Sequence, residues 1–265
     1  VKNKKWSILF LLLILSMIIF CLGVLLYDNN QNEVDQSAGS AAKSDTTSKS
    51  QKEASESAAQ KEALPEGQLT DWNLVLVNKT HSVENTAPSL VTLANGFQVL
   101  DQIQTPVETL INAAQADGIE LKFVSAYRSV EEQQAVVSSV INQNISAGMS
   151  EADAKSAAMS VLTEPGYSEH HTGLAIDLVD TTYYQNTPND LLNEAYADTD
   201  SAKWLAENAP KYGFILRYPK GKEAETGINF EPWHYRYVGV EHAMYITQNN
   251  LTLEAYIKKL QEAGR

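Results

Sequence analysis

The sequence predicts one domain of mixed helices and strands over residues 68–265, standing behind a transmembrane helix within 1–27 and a disordered linker over 28–67. Three observations carry this reading. An uncharged apolar run lies near the N-terminus, the composition changes abruptly after it, and helical and strand patterns then alternate to the end of the chain.

The apolar run is WSILFLLLILSMIIFCLGVLLY, from Trp6 to Tyr27. As a helix it would extend about 33 Å, enough to cross a hydrocarbon core of about 30 Å. Lys2, Lys4 and Lys5 precede it and polar or acidic residues follow, so the positive-inside rule places the start of the chain in the cytoplasm and the remainder outside. A cleaved signal peptide and a lipid anchor at Cys21 are the rival readings. The run exceeds the usual length of a signal core, no small-x-small site follows closely, and Phe20 is bulky where a lipid-attachment box takes a small residue. With a single cysteine the chain can form neither an internal disulfide nor a cysteine-based metal site.

Ser, Ala, Gln, Lys, Glu and Asp dominate 28–67, and no aromatic residue occurs between Tyr27 and Trp72. Such a segment buries too little apolar surface to offset the entropy of ordering. It reads as a tether, spanning about 35 Å as a flexible coil and about 130 Å when stretched. The domain beyond it holds 25 acidic and 13 basic residues, a balance that argues against nucleic acid as a partner.

Within the domain, TPVETLINAAQADG at 105–118 predicts a helix with Thr105 as N-cap, Pro106 in the first turn, Glu108 completing a capping box and Gly118 past the end. IELKFVSAY at 119–127 alternates as a half-buried strand would and delivers Arg128 to its end. Helical spacing begins again near Glu131 and near Ser150, until Pro165 and Gly166 interrupt it. GLAIDLV at 173–179 alternates as a strand, with Ala175, Asp177 and Val179 on one face and Leu174, Ile176 and Leu178 on the other. A further strand follows Pro232, with His234, Arg236 and Val238 on one side and Trp233, Tyr235 and Tyr237 on the other. Helices are expected at 200–213 and 251–264, the latter with an apolar stripe of Leu253, Tyr256, Ile257 and Leu260.

Two of these stretches carry chemistry. In SEHHTGLAID, 168–177, two of the chain's five histidines precede an aspartate on an otherwise apolar strand. A buried carboxylate must be paired with a cation, heavily hydrogen-bonded or bound to a metal. The motif alone leaves a hydrogen-bonded structural aspartate as an open reading. EPWHYRYVG at 231–239 shifts that balance toward metal, because His234 projects from its strand while Glu231 sits in the turn before it. Two histidines and one aspartate leave a fourth position open on zinc, the arrangement of a catalytic rather than a structural site. A nearby glutamate can then take a proton from water.

These residues resemble a known family. SAYRS at 125–129, S-x-H-x-x-G-x-A-x-D at 168–177 and EPWH at 231–234, in that order, are similar to the signatures of the VanY-type D-alanyl-D-alanine carboxypeptidases, zinc enzymes of the bacterial cell wall. LVNKTH near the domain start and GFILRYP at 213–219 extend the likeness over about 71–245. The resemblance implies an α+β fold, a small mainly antiparallel sheet flanked by helices. It selects His170 rather than His171 by register, and implies Zn2+ held by His170, Asp177 and His234. Glu231 is implied as the catalytic base, Arg128 as the group that steadies the scissile carbonyl, and Gln133, Ser168, Tyr218 and Trp233 as neighbours of the substrate's terminal residue. His81 and His242 have no spacing link to the metal and read as structural.

The expected activity is removal of the C-terminal D-alanine from peptidoglycan stem peptides by an extracellular, membrane-anchored enzyme. An L,D-carboxypeptidase acting on tetrapeptides is the alternative within the class. A non-catalytic wall-binding module is the alternative outside it, disfavoured because a binder needs neither Glu231 nor Arg128. The donor set is also compatible with divalent ions other than zinc.

Overall fold

The computed structural model describes residues 63–83, 88–188 and 190–265. The expected transmembrane helix and nearly all of the expected linker lie outside these residues. Among the described residues no helix is long and apolar enough to cross a membrane. The last residues of 28–67 are described, and they pack: Leu64 lies against the core beside the C-terminal helix, and the Pro65 carbonyl accepts from Arg265.

The strands are β1 (Leu90–Thr92), β2 (Gln98–Leu100), β3 (Leu121–Ser125), β4 (Ala175–Asp180), β5 (Phe214–Leu216) and β6 (His234–Tyr237). The helices are α1 (Gln104–Ala116), α2 (Val130–Ser146), α3 (Glu151–Val161), α4 (Thr181–Asn186), α5 (Asp200–Asn208), α6 (Glu223–Thr226), α7 (Val240–Gln248) and α8 (Leu253–Glu262). β1 and β2 form an antiparallel ribbon, and the other four form a sheet in the order β3-β4-β6-β5 with every neighbouring pair antiparallel. This is the expected α+β class.

The alternation of β4 works as the sequence predicts. Leu174, Ile176 and Leu178 enter the main core with Tyr235 and Phe214, where Val107, Leu110 and Ala114 of α1 cover them. Each such side chain, fully buried, contributes about 1.5–3 kcal/mol. Asp177 takes the other face. A second core lies where the α8 stripe of Leu253, Tyr256, Ile257 and Leu260 packs on Leu74, Ile215 and Val238.

Several expected details differ. α1 starts earlier than Thr105: its N-cap is Ile103, without a side-chain cap bond, because a 3-10 turn at Asp101–Ile103 feeds directly into it. Glu108 accordingly accepts from Gln104 instead of closing a capping box. The capping box belongs to α2, where Ser129 and Glu132 satisfy each other's backbone N–H groups. β3 is shorter than 119–127, since residues 126–129 leave the sheet to meet the histidine segment. The 200–213 helix breaks into α5 and a 3-10 turn at Ala209–Tyr212 with Pro210 near its start, as a proline without an N–H dictates.

Candidate active site

The strand register builds the centre of the site. Asp177 on β4 lies directly opposite His234 on β6 and, across the other edge, Ser125 on β3. The third residue arrives by a different route. A 3-10 turn at Glu169–Thr172, capped by Ser168, precedes β4, and it ends at Gly173 in the left-handed conformation, φ 69°. A side chain at Gly173 would also meet the Leu100 backbone nitrogen at 2.7 Å. Glycine is therefore required twice over, and the tight turn swings His170 beside Asp177.

The three side chains are buried and converge. His170 Nε2 lies 3.3 Å from Asp177 Oδ2, and His234 Nδ1 lies 3.0 Å from Asp177 Oδ1. Tetrahedral zinc with ligands at about 2.0–2.1 Å separates them by about 3.3 Å, so these spacings fit. The other ring nitrogens are occupied as metal-binding histidines require: His170 Nδ1 donates to the Ala126 carbonyl at 2.7 Å, and His234 Nε2 faces Glu169 Oε2 at 3.4 Å. Asp177 Oδ1 is buried with no hydrogen-bond partner. A buried carboxylate whose two oxygens each face an imidazole nitrogen, one of them without an accepted hydrogen bond, is what a cation-binding site contains and a satisfied structural aspartate lacks.

The histidine doublet separates cleanly. His171 Nδ1 donates to the Arg128 carbonyl at 2.7 Å and its Nε2 accepts from the Gly166 amide at 3.0 Å. Both nitrogens are consumed by backbone, so His171 is a neutral staple and has no atom to offer a metal. Burial lowers its pKa, consistent with that role.

Glu231 is buried with its carboxylate 3.8 Å from His234 Nδ1. Burial pushes its pKa up to about 8, with the Asp177 carboxylate adding to the rise and His234 opposing it. Burial opposes a charge on His234 too, but the carboxylates of Asp177 and Glu169 outweigh it and raise its pKa to about 9. A metal must displace any proton on the imidazole nitrogen it binds, so metal affinity is expected to fall as the medium becomes acidic.

Arg128 is half-buried at the edge of the same cleft. Its guanidinium donates to Gln133 Oε1 and Ser125 Oγ, both at 2.7 Å. Gln133 in turn donates to the Thr163 carbonyl at 2.8 Å, so this glutamine orients the arginine. Gln133, Ser168, Tyr218 and Trp233 all line the cleft, whose volume is about 500 Å³. Trp233 departs from its expected face: it precedes the first residue of β6 and packs on Val179, Tyr196 and Ala202. His81, exposed and bonded to Asn78, and His242, bonded to Tyr256, stay out of the site.

Sequence reasoning passed over Glu169, which is buried between Arg217 and Arg236 with both guanidiniums 2.7 Å from its Oε1. Its position beside His170 in the doublet motif was the one available signal. Burial would raise its pKa, yet the two guanidiniums hold it well below the usual carboxylate range. A depressed folded-state pKa contributes stability that is complete above the unfolded value, about 4.3, and lost as pH falls through the folded one. Urea unfolding is therefore expected to show stability falling steadily below about pH 4, and a flat profile through that window would contradict the pairing.

Comparison with known proteins agrees with this geometry. Residues 97–240 match the family model described as VanY, D-alanyl-D-alanine carboxypeptidase. A D-alanyl-D-alanine carboxypeptidase of Enterococcus faecalis is 36% identical over 200 residues, covering 74% of this chain and 69% of that protein. Among solved structures, a mutant of the vancomycin resistance D,D-pentapeptidase VanY in complex with Zn(II) is similar at 35% identity and TM-score 0.63, over 71% of this chain and 99% of that one. The LD-carboxypeptidase LdcB is similar at 36% identity and TM-score 0.59, over 71% of this chain and 87% of that one.

Proposed function

Because the chain belongs to the VanY D-alanyl-D-alanine carboxypeptidase family, we propose that it is a membrane-anchored enzyme of the cell-wall side that removes the C-terminal D-alanine from peptidoglycan stem peptides. The observation that carries the chemistry is the convergence of His170, Asp177 and His234 on one point, with Glu231 beside it and not spent as a ligand.

His170 Nε2, Asp177 and His234 Nδ1 would hold the ion. Zn(II) bound there supplies Lewis acidity, acidifying water and polarising the scissile carbonyl. Glu231 takes the proton of the attacking water on its carboxylate and passes it to the departing amine. Its burial among apolar and charged neighbours keeps its affinity for that proton high, as a base working near neutral pH needs. Arg128, fixed by Ser125 and Gln133, presents a preorganised cation to the carbonyl oxygen as negative charge grows on it. Arg128→Lys is expected to lower kcat by about a hundredfold, since an ammonium cannot donate to Ser125, Gln133 and substrate with one planar fork. Steady-state kinetics with KM little changed would match this role.

A D,D-carboxypeptidase acts on a pentapeptide ending in two D-alanines, and the similarity to LdcB supports the L,D reading on a tetrapeptide as the second candidate. Incubating the protein with defined penta- and tetrapeptides separates them. Free D-alanine from the pentapeptide is expected, abolished by chelator and restored by Zn(II); no product from either peptide would sink the enzymatic reading. The anchor rests on the apolar run at 6–27, and protease accessibility of the domain on intact cells tests its placement.

A further inference from the structure

Beside the site, reaching it through Glu169 at the cleft lining, lies a buried charge cluster to which the chemistry above gives no role. Glu169, Arg217 and Arg236 are fully buried at the side chain, and Glu254 on α8 closes the group at 17% exposure. Two carboxylates and two guanidiniums balance, as burial demands. Their bonds form a directed chain. Glu254 accepts from Arg217 Nη1 at 2.8 Å and Nη2 at 2.6 Å. Arg217 Nε donates to Glu169 Oε1 at 2.7 Å, and Glu169 Oε2 faces His234 Nε2 at 3.4 Å.

We propose that Glu254, on the C-terminal helix, is a positioning residue for the metal-binding histidine His234, acting through Arg217 and Glu169. This rests on the zinc reading above. The Glu169 carboxylate can only accept, so the proton facing it sits on His234 Nε2, and Nδ1, on the side of Asp177, is the atom that would take the metal. At 3.4 Å that contact has little slack, so the position of the Glu169 carboxylate decides whether it holds. Arg236 lies on the same strand as His234 and is tied to the Val75, Asn73 and Tyr237 carbonyls. Among the described residues the Arg217 guanidinium has no such backbone tether. Both of its terminal nitrogens are spent on Glu254, which Asn78 holds from behind at 3.1 Å. Without the Glu254 charge, Arg217 has Glu169 as its sole carboxylate and draws it off His234. The last helix of the fold thereby sets the geometry of a ligand on β6.

Zinc affinity of the full chain, measured by competition with a chromophoric chelator, and the visible absorption of the Co(II)-substituted protein test this. Glu254→Gln is expected to weaken zinc binding about tenfold or more and to shift the Co(II) bands. Leu260→Ala, which loosens the same helix by removing a buried side chain that belongs to the apolar core and not to the charge cluster, should leave both readings as in the wild type. If Glu254→Gln does not fold, Glu254→Asp keeps the charge while retracting it, and should show the same two changes to a smaller degree. A folded Glu254 variant with wild-type affinity and spectrum overturns the proposal, as does equal weakening by Leu260→Ala. A wild-type chain that binds no zinc would instead remove the metal reading on which the proposal stands.

Discussion

Replacement of Glu231 by Gln is expected to leave zinc bound at full occupancy while lowering kcat by about a thousandfold, within the 10²–10⁴ range for loss of a general acid–base group. The amide keeps the size and one acceptor of the carboxylate, so packing survives, but it can neither take a proton from water nor return one to the leaving amine. Metal content should be unaffected because Glu231 is not among the three converging ligand groups. The pH profile offers a second readout. Burial raises the pKa of Glu231 to about 8 in the metal-free site, and a divalent ion beside it moves the titration back toward lower pH. Wild-type activity should rise with pH as this carboxylate ionises, and the residual activity of Glu231→Gln should lack that acid limb. A variant with unimpaired turnover would falsify the assignment of the base.

The second large effect separates the adjacent histidines. His170→Ala removes one of three ligand atoms, and with it the zinc and essentially all turnover. His171→Ala removes no ligand. It deletes the bonds to the Arg128 carbonyl and the Gly166 amide, leaving partly buried backbone groups unsatisfied at a cost of about 1 kcal/mol of stability. Zinc should stay bound in that variant, with activity reduced through a less firmly held Arg128. Zinc analysis beside thermal unfolding distinguishes the two, and metal loss only at position 171 would reverse the assignment.

Much of the site was legible because its parts are local patterns. The spacing of His170 and Asp177 lies within one motif, and EPWH carries His234 and Glu231 together. The β4 alternation assigned Asp177 to the face opposite Ile176 and Leu178, where the structure has it. Capping was less legible. Thr105 and Glu108 satisfy the capping pattern as well as Ser129 and Glu132 do, and only the chain entering each helix decides which pair closes. Trp233 shows the same limit, since alternation has no force for a residue one step before the strand begins.

Charge partners were the least legible. Glu169 and Glu254 are 85 positions apart in the numbering and nothing in composition joins them, yet Arg217 bridges both. By itself the sequence determined the candidate ligand types, the glutamate beside them, the faces of β4 and the family resemblance, because residue chemistry and short-range periodicity suffice for those. Only the tertiary structure decided that His171 is spent on backbone, that Gln133 serves Arg128, and that the ligand His234 is backed by a buried ion network. Each of those depends on long-range packing, which brings together groups whose spacing along the chain carries no signal of their contact.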